Sequence, residues 1–214
     1  MFRDRKHAGE KLAAALEKYS ATEALVLAIP RGGVEVGYEV AKRLDLEFSV
    51  LVTRKLPFPD QPEAGFGAVA EDGSVYVYEE ALKWLDADTV EEVTQYQRKE
   101  VNRRVELFRG GLPLPRISSR HVILVDDGIA MGSTVNASIM LLKNKKAGWI
   151  TVAAPVTGPE TAKRMERIAD EVVVLDKPAS FRAVAEAYQN WYDVSDGEVM
   201  EILDKWNKIK GGVR

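Results

Sequence analysis

Short apolar runs alternate with amphipathic segments along most of the chain. Their length and their content of β-branched residues are typical of strands that are buried on both faces of a parallel sheet. The runs lie at 24–29, 48–53, 121–125, 150–156 and 172–175. Amphipathic helices are predicted at 5–19, at 34–44, at 133–145, after a cap at 157–160, and from 195 onwards. The pattern predicts an α/β fold whose core is a five-stranded parallel sheet flanked by helices.

Residues 54–78 interrupt this alternation and are predicted to form a loop followed by a β-hairpin. Three prolines fall within 54–63, a composition that indicates an irregular loop. The dipeptide Asp72-Gly73 then separates two runs of strand-forming residues, 66–70 and 75–78. An Asp-Gly pair between two such runs is a common two-residue hairpin turn.

Two helices are predicted next, a short one at 79–86 and a long one at 89–108. The long helix carries an apolar stripe, and a Thr-x-x-Glu capping box begins at Thr89. We therefore predict one domain over 1–214, with a helical insertion at 79–115.

Composition and charge exclude several classes of protein. The chain has 214 residues, a net charge of −3 and no cysteine, so it has neither disulfides nor thiolate metal sites. It lacks the basic charge of a general nucleic-acid binder. Its apolar runs fall short of the ~18 residues of a membrane helix, and its first residues do not resemble a signal peptide. We expect a cytoplasmic protein that binds neither nucleic acid nor a membrane.

Two adjacent carboxylates end the third predicted strand. Asp126 and Asp127 follow 121–125 directly, and the carboxyl ends of parallel strands are where ligands bind. A loop from Gly128 to Thr134 comes next and opens a helix, whose free amides form a site for a phosphate. An ordinary turn with a helix cap is the alternative, but the acid pair, glycines and hydroxyls together favour a site for a phosphorylated sugar.

This segment resembles the motif by which type I phosphoribosyltransferases bind 5-phosphoribosyl 1-diphosphate (PRPP). The resemblance extends over nearly the whole chain and is nearest to an uncharacterised bacterial and archaeal branch, which shares the start at 2–5 and the run at 62–69. It implies the type I phosphoribosyltransferase fold, in which a hairpin and helices are inserted and 54–78 includes a mobile loop that closes over the site. The residues that it assigns to PRPP are Asp126, Asp127, Gly128, Ile129, Ala130, Met131, Gly132, Ser133 and Thr134.

The resemblance also implies a pyrophosphate loop and a set of catalytic residues. The loop and its basic neighbours are Pro30, Arg31, Gly32, Gly33, Arg54 and Lys55. The peptide bond between Pro30 and Arg31 is expected to be cis. The implied catalytic residues are Asp126, Asp127, Lys55 and Arg31. Asp126 and Asp127 would also contact Mg²⁺, directly or through water.

The activity implied is transfer of the phosphoribosyl group of PRPP to a nitrogen acceptor, a nucleobase, with release of pyrophosphate by a homodimer. A non-catalytic regulatory protein that binds PRPP is the alternative, and a general binder of phosphosugars or nucleotides is a third possibility.

Met131 replaces a Thr of the family motif. Ala130 lies where relatives that use 6-oxopurines carry Asp, and Phe181 is the candidate for stacking on the base.

Overall fold

The computed structural model describes residues 1–211, which form eight strands and six α-helices. The strands are β1 (Leu25–Ala28), β2 (Glu47–Val50), β3 (Thr53–Phe58), β4 (Gln61–Ala70), β5 (Val75–Val77), β6 (His121–Val125), β7 (Trp149–Val156) and β8 (Glu171–Asp176). The helices are α1 (Arg5–Ala15), α2 (Gly32–Leu44), α3 (Ala87–Arg109), α4 (Ser133–Asn144), α5 (Pro159–Met165) and α6 (Asp196–Ile209). Within 1–211, no helix is both long enough and apolar enough to cross a bilayer.

The core is a five-stranded sheet in the order β2-β1-β6-β7-β8, and every neighbouring pair is parallel. The predicted fold class is therefore confirmed. Alternate residues of the central strands enter two separate apolar clusters, since side chains alternate across a strand. Val26 and Ile123 pack with α1, α2 and α6 on one face, whereas Leu27 and Leu124 pack with α4 on the other. Burial on both faces explains why these strands are continuously apolar.

A second sheet, antiparallel and in the order β3-β4-β5, occupies the region predicted as loop and hairpin. The hairpin at Asp72-Gly73 is confirmed by the β4–β5 pairing, but the prediction of an irregular loop at 54–63 is wrong. Pro57 fits because β3 is an edge strand whose register shifts there, Pro59 lies in the turn between β3 and β4, and Pro62 lies on β4 in the irregular stretch between the paired residues Gln61 and Gly65. Proline is tolerated at edges and bulges, where its missing N–H breaks no ladder bond.

The insertion is dominated by α3, which begins earlier than its sequence pattern suggested. The N-cap is Asp86, whose carboxylate accepts a hydrogen bond of 2.7 Å from the backbone N–H of Thr89. The prediction of a capping box that begins at Thr89 is therefore wrong. The N-cap is three residues earlier, at Asp86, and Thr89 lies inside the first turn of the helix. A 3₁₀ turn at Ala81–Lys83 precedes α3. The limits of the domain, of the insertion and of the mobile loop stay predictions.

Candidate active site

The acid pair lies at the carboxyl end of the central strand, as the sequence predicted. Asp126 and Asp127 follow β6, which lies between β1 and β7. The backbone N–H of Asp127 donates a hydrogen bond of 2.9 Å to Oδ1 of Asp126. Asp126 keeps part of its surface exposed, whereas Asp127 is only 9% exposed. The two carboxylates therefore meet different surroundings although they are neighbours in sequence.

The predicted pyrophosphate loop touches this acid pair. It follows β1, the neighbour of β6, and its Pro30–Arg31 peptide bond is cis as predicted. A Cβ atom added to Gly32 would lie 1.8 Å from Oδ2 of Asp127, and one added to Gly33 would lie 3.0 Å from the Cα of Asp126. Glycine is required at both positions because the loop and the acids are in direct contact.

Arg5 binds the second acid, and no signal in the sequence pointed to it beyond the general resemblance of 2–5 to one branch of the family. Arg5 is buried at the start of α1, and its Nε donates a hydrogen bond of 2.7 Å to Oδ2 of Asp127. Its guanidinium also donates to the carbonyl of Tyr192 at 2.9 Å and lies 4.1 Å from the ring centroid of Trp191. Asp127 is thus an ion-paired group that is fixed from both the N-terminal helix and the segment before α6.

A tyrosine also supports the acid pair through the backbone. Oη of Tyr188 donates a hydrogen bond of 2.6 Å to the carbonyl of Asp127. Burial, reinforced by the charge of Asp127, raises the pKa of Tyr188, so its hydroxyl remains a proton donor. Burial and the charge of Asp127 also raise the pKa of Asp126 well above its usual range. Among the described residues, Asp127 forms the ion pair with Arg5 and Asp126 forms none, so a cation beside Asp126 would lower its pKa again.

The loop from Gly128 to Thr134 is held by its carbonyl groups. The carbonyl of Ala130 accepts a hydrogen bond of 2.9 Å from Oγ1 of Thr161, and that of Met131 accepts one of 2.7 Å from Oη of Tyr78. Gly132 has φ +83 and is the N-cap of α4. The first N–H groups of a helix have no partner within it. The carbonyl groups of the loop are thus held in place. The free backbone N–H groups at the start of α4 form the kind of site that binds a phosphate.

A cavity of about 350 Å³ lies beside this loop. Its wall is formed by Lys55, Glu63, Ala64, Gly65, Gly128, Ile129, Ala130, Met131, Gly132, Ser133, Thr134 and Arg182. Arg182 is a basic residue that the sequence did not single out. Nζ of Lys55 donates a hydrogen bond of 2.7 Å to the carbonyl of Glu63, which links β3 to β4. Both residues line the cavity, so the end of the β3–β4 hairpin lies across it from the loop of Gly128 to Thr134.

The basic pair Arg54-Lys55 is divided between two places in the fold. Consecutive side chains of a strand point to opposite faces of the sheet. Lys55 therefore lies at the phosphate cavity, whereas Arg54 donates to Oε1 of Gln97 at 3.0 Å, on α3. The sequence predicted that both residues lie together beside the pyrophosphate loop. In the structure, their side chains lie on opposite faces of β3. Their roles in binding stay predictions.

Comparison with known proteins agrees with this geometry. The phosphoribosyl transferase domain family matches residues 4–190. The chain belongs to this family. Two Mycobacterium tuberculosis proteins, from strains CDC 1551 / Oshkosh and H37Rv, are each named "Putative phosphoribosyl transferase" and are 40% identical over 207 residues. The match covers 96% of this chain and 47% of each relative, so the chain spans about half the length of these curated relatives.

A solved structure extends the agreement to three dimensions. The crystal structure of TT1426 from Thermus thermophilus is similar to this phosphoribosyl transferase domain with a TM-score of 0.80 and 38% identity. The similarity covers 96% of this chain and 99% of that one. The insertion with α3 and the three-stranded sheet therefore fall within a shared arrangement and not in an unmatched region.

The donor set of this phosphoribosyl transferase domain fits Mg²⁺ only together with a substrate. Among residues 1–211, no group of three or more His, Cys, Asp or Glu side chains could hold a metal ion. Proteins commonly bind Mg²⁺ through one or two carboxylates while phosphate oxygens and water complete the octahedron. Asp126 and Asp127 supply such carboxylates, and the fit is better at Asp126, since Asp127 already pairs with Arg5.

Two residues were predicted to influence the acceptor, Phe181 and Ala130. Phe181 is half-buried in a small apolar cluster with Phe2 and Tyr188, and its Cδ1 would be 3.6 Å from a Cβ added to Gly158. Ala130 is exposed on the loop. The stacking role of Phe181 and the influence of Ala130 on acceptor choice stay predictions.

Proposed function

We propose that this domain binds PRPP with Mg²⁺ and transfers its phosphoribosyl group to a nitrogen of a small acceptor, a nucleobase, with release of pyrophosphate. One observation carries the proposal. The acid pair, the phosphate cavity and the pyrophosphate loop meet at one edge of the sheet, and Gly32 and Gly33 lie against the acids. These three parts match the three chemical groups of PRPP, namely ribose hydroxyls, 5′-phosphate and diphosphate.

The proposed orientation of PRPP follows from these parts. Amides of the loop from Gly128 to Thr134, assisted by Lys55 and Arg182, would bind the 5′-phosphate. Asp126 would accept hydrogen bonds from the ribose hydroxyls, and Asp127 would hold its neighbour in position through the pair with Arg5. The diphosphate would then extend from C1′ towards Arg31.

The proposed reaction breaks the bond between C1′ and the diphosphate oxygen and forms a bond from C1′ to the acceptor nitrogen, whose proton is released to water. Negative charge develops on the leaving diphosphate, where Arg31 and the amides of the pyrophosphate loop would stabilise it. Positive charge develops on the ribose, next to the carboxylate of Asp126. Bound Mg²⁺ supplies further charge neutralisation on the diphosphate. The β3–β4 hairpin, which already reaches the cavity at Glu63, would keep water from C1′.

Release of pyrophosphate from PRPP, measured with a panel of purine, pyrimidine and pyridine bases, tests the proposal. We expect release that depends on one class of base and is lost in Asp126→Asn. Because Ala130 cannot transfer a proton, we expect hypoxanthine and guanine to be slower than adenine or orotate. PRPP binding without release for every base would indicate a regulatory protein, and failure to prefer PRPP over ribose 5-phosphate would indicate a general phosphosugar binder.

We also propose that the protein is a cytoplasmic homodimer. The location rests on the composition and the dimer on large apolar side chains that the insertion exposes. Leu82 is 56% exposed, Trp84 82% and Tyr96 64%. Large apolar and aromatic side chains that are exposed in a monomer are typical of surfaces that pair. Light scattering should give twice the monomer mass, and Trp84→Ser together with Tyr96→Ser should lower it to the monomer.

A further inference from the structure

Three arginines form ion pairs with one carboxylate behind the pyrophosphate loop, and a fourth arginine adds its charge to theirs. We call Arg31, Arg54, Arg103 and Arg104 the arginine cluster. Asp196 Oδ2 lies 2.8 Å from Nη2 of Arg103, and Asp196 Oδ1 lies 3.2 Å from Nη2 of Arg104 and 3.7 Å from Nη1 of Arg31. Arg54 completes the cluster and adds a repulsive charge to Arg104. The fold brings these residues together from the pyrophosphate loop, β3, α3 and the first turn of α6.

Within residues 1–211, the carboxylates in ion pairs with this cluster are fewer than its guanidinium groups. Besides Asp196, the carboxylate of Glu100 pairs with Arg103 at 3.2 Å, which gives two carboxylates for four guanidinium groups. Arg103 is the most exposed member, with a side chain 48% exposed, whereas the side chain of Arg104 is 6% exposed. The excess positive charge is therefore greatest at the buried end of the cluster.

Two polar atoms at the buried end lack a hydrogen bond. Among the described residues, neither Nε of Arg104 nor Oδ1 of Asp196 has a hydrogen bond of acceptable geometry, although both atoms are buried. Burial and the charge of Arg54 lower the pKa of Arg104 to about 10. Folded proteins satisfy nearly all buried polar groups, and a buried cation with an unused donor is costly. An anion placed among these arginines would use the free donor and reduce the repulsion.

The position of Arg31 indicates which anion fits. Arg31 immediately precedes Gly32 and Gly33, which contact the two acids, so the cluster continues directly from the site proposed for the ribose. Guanidinium groups bind phosphate oxygens in pairs, and several such groups suit an anion that carries several charges. We propose that the arginine cluster binds a diphosphate group, with Arg104 of the insertion as its buried member, and that Asp196 is an internal counter-ion which the diphosphate displaces.

This inference rests on the proposed function for the source of the diphosphate, which is PRPP or the released product. It adds Arg104 and Asp196, which lie outside the pyrophosphate loop and outside the residues that the sequence indicated. It also gives the insertion a role in ligand binding, since α3 carries Arg104 and Gln97 on its buried face.

Calorimetric titration with inorganic pyrophosphate and, separately, with ribose 5-phosphate tests the inference. In Arg104→Met we expect the affinity for pyrophosphate to fall about tenfold, the size expected for one lost charge-assisted hydrogen bond. The affinity for ribose 5-phosphate should stay within about twofold, because that ligand needs the acid pair and the phosphate loop but not the cluster. Arg98→Met is the matched control, since Arg98 lies on the same helix and pairs with Glu91 at 3.7 Å.

The counter-ion has its own test. In Asp196→Asn we expect pyrophosphate to bind several-fold more tightly, because no carboxylate then competes with it for the arginines. Unchanged pyrophosphate affinity in Arg104→Met, or an equal loss in Arg98→Met, would overturn the inference. If Arg104→Met weakens both ligands, Asp196→Asn decides: a gain in pyrophosphate affinity supports the inference and no gain overturns it.

The two proposals fail in different ways. If PRPP is bound but never cleaved, the proposed reaction fails while pyrophosphate binding that depends on Arg104 still supports the cluster. If PRPP is cleaved and pyrophosphate affinity is the same in Arg104→Met and the unchanged protein, the reaction stands and the inference about the cluster is wrong.

Discussion

The two sides of the proposed cleft are built in different ways. The side proposed for the phosphate is one continuous segment, from Asp126 to Thr134, whose backbone groups would do most of the binding. The opposite side is assembled from side chains of distant segments, in which Arg5 pairs with Asp127 and the arginine cluster surrounds Asp196. A backbone site tolerates side-chain replacement, as Met131 illustrates. A site of buried charges does not, because removal of one partner leaves the other uncompensated.

The largest effect is expected from breaking the pair of Arg5 and Asp127. Asp127→Asn should lower the free energy of unfolding by about 3 kcal/mol, since it removes the carboxylate that lies 2.7 Å from the buried guanidinium of Arg5 and leaves the more distant carboxylate of Glu35, at 3.7 Å, to balance it. Urea denaturation measures this effect. The double variant Arg5→Met with Asp127→Asn should recover part of the loss. A stability equal to that of the unchanged protein in the single variant would show that the pair is not a structural requirement.

A smaller effect is expected on the phosphate side from Gly132→Ala. Gly132 has φ +83, and an added Cβ would lie 3.1 Å from Cε of Met165 and 3.3 Å from Cγ2 of Ile129. We expect a loss of about 1–2 kcal/mol in stability and weaker binding of ribose 5-phosphate, because the loop must shift.

Gly73→Ala is the matched control for this variant. Gly73 has φ +88 and nothing within 4 Å of an added Cβ. Gly73→Ala therefore has the cost of a positive φ but no steric clash. It should lose stability without losing affinity for ribose 5-phosphate. Equal affinities in the two variants would contradict the assignment of the phosphate to the loop.

The raised pKa of Asp126 predicts that stability and function oppose each other at this residue. Its charged form is disfavoured in the fold by burial and by Asp127, so the destabilisation is fully present above the folded pKa. It fades as pH falls through that pKa towards the unfolded value. Asp126→Asn should therefore raise the unfolding free energy at neutral pH, by less than Asp127→Asn lowers it, and the gain should disappear in acid.

Urea denaturation at several pH values checks this prediction, and pyrophosphate release provides the functional readout. The variant should lose the release of pyrophosphate from PRPP while it gains stability. A gain that grows as the pH is lowered, or a loss of stability at neutral pH, would contradict the assignment of the raised pKa.

The same contrast explains what the sequence could predict. The acid pair and its loop are contiguous, so an apolar strand that runs into Asp126 and Asp127 reveals them directly. Arg5 and Arg104 act across the fold, and an arginine on an amphipathic helix looks the same in the sequence whether it is solvated or buried. Arg54 and Lys55 are an intermediate case. Because they are adjacent in sequence, both were predicted to lie beside the pyrophosphate loop, but consecutive side chains of a strand point to opposite faces, so Arg54 contacts α3 and Lys55 contacts β4. The three prolines of 54–63 led to the wrong prediction of a loop, because the edge position of Pro57, the turn at Pro59 and the register shift that leaves Pro62 unpaired are set by how the strands pair.

The smallest effect is expected from restoring the family's hydroxyl at Met131. Its side chain is 53% exposed and its carbonyl is already bound by Tyr78 and Arg164, so a change of side chain should leave the loop and its stability intact. Met131→Thr adds one hydroxyl donor near the proposed phosphate, which is worth about 1 kcal/mol, or about fivefold in the affinity for ribose 5-phosphate. Met131→Val has the shape of Thr without the hydroxyl and should give no gain. If both variants bind alike, backbone amides and basic side chains already satisfy the phosphate, and the departure at Met131 has no consequence for binding.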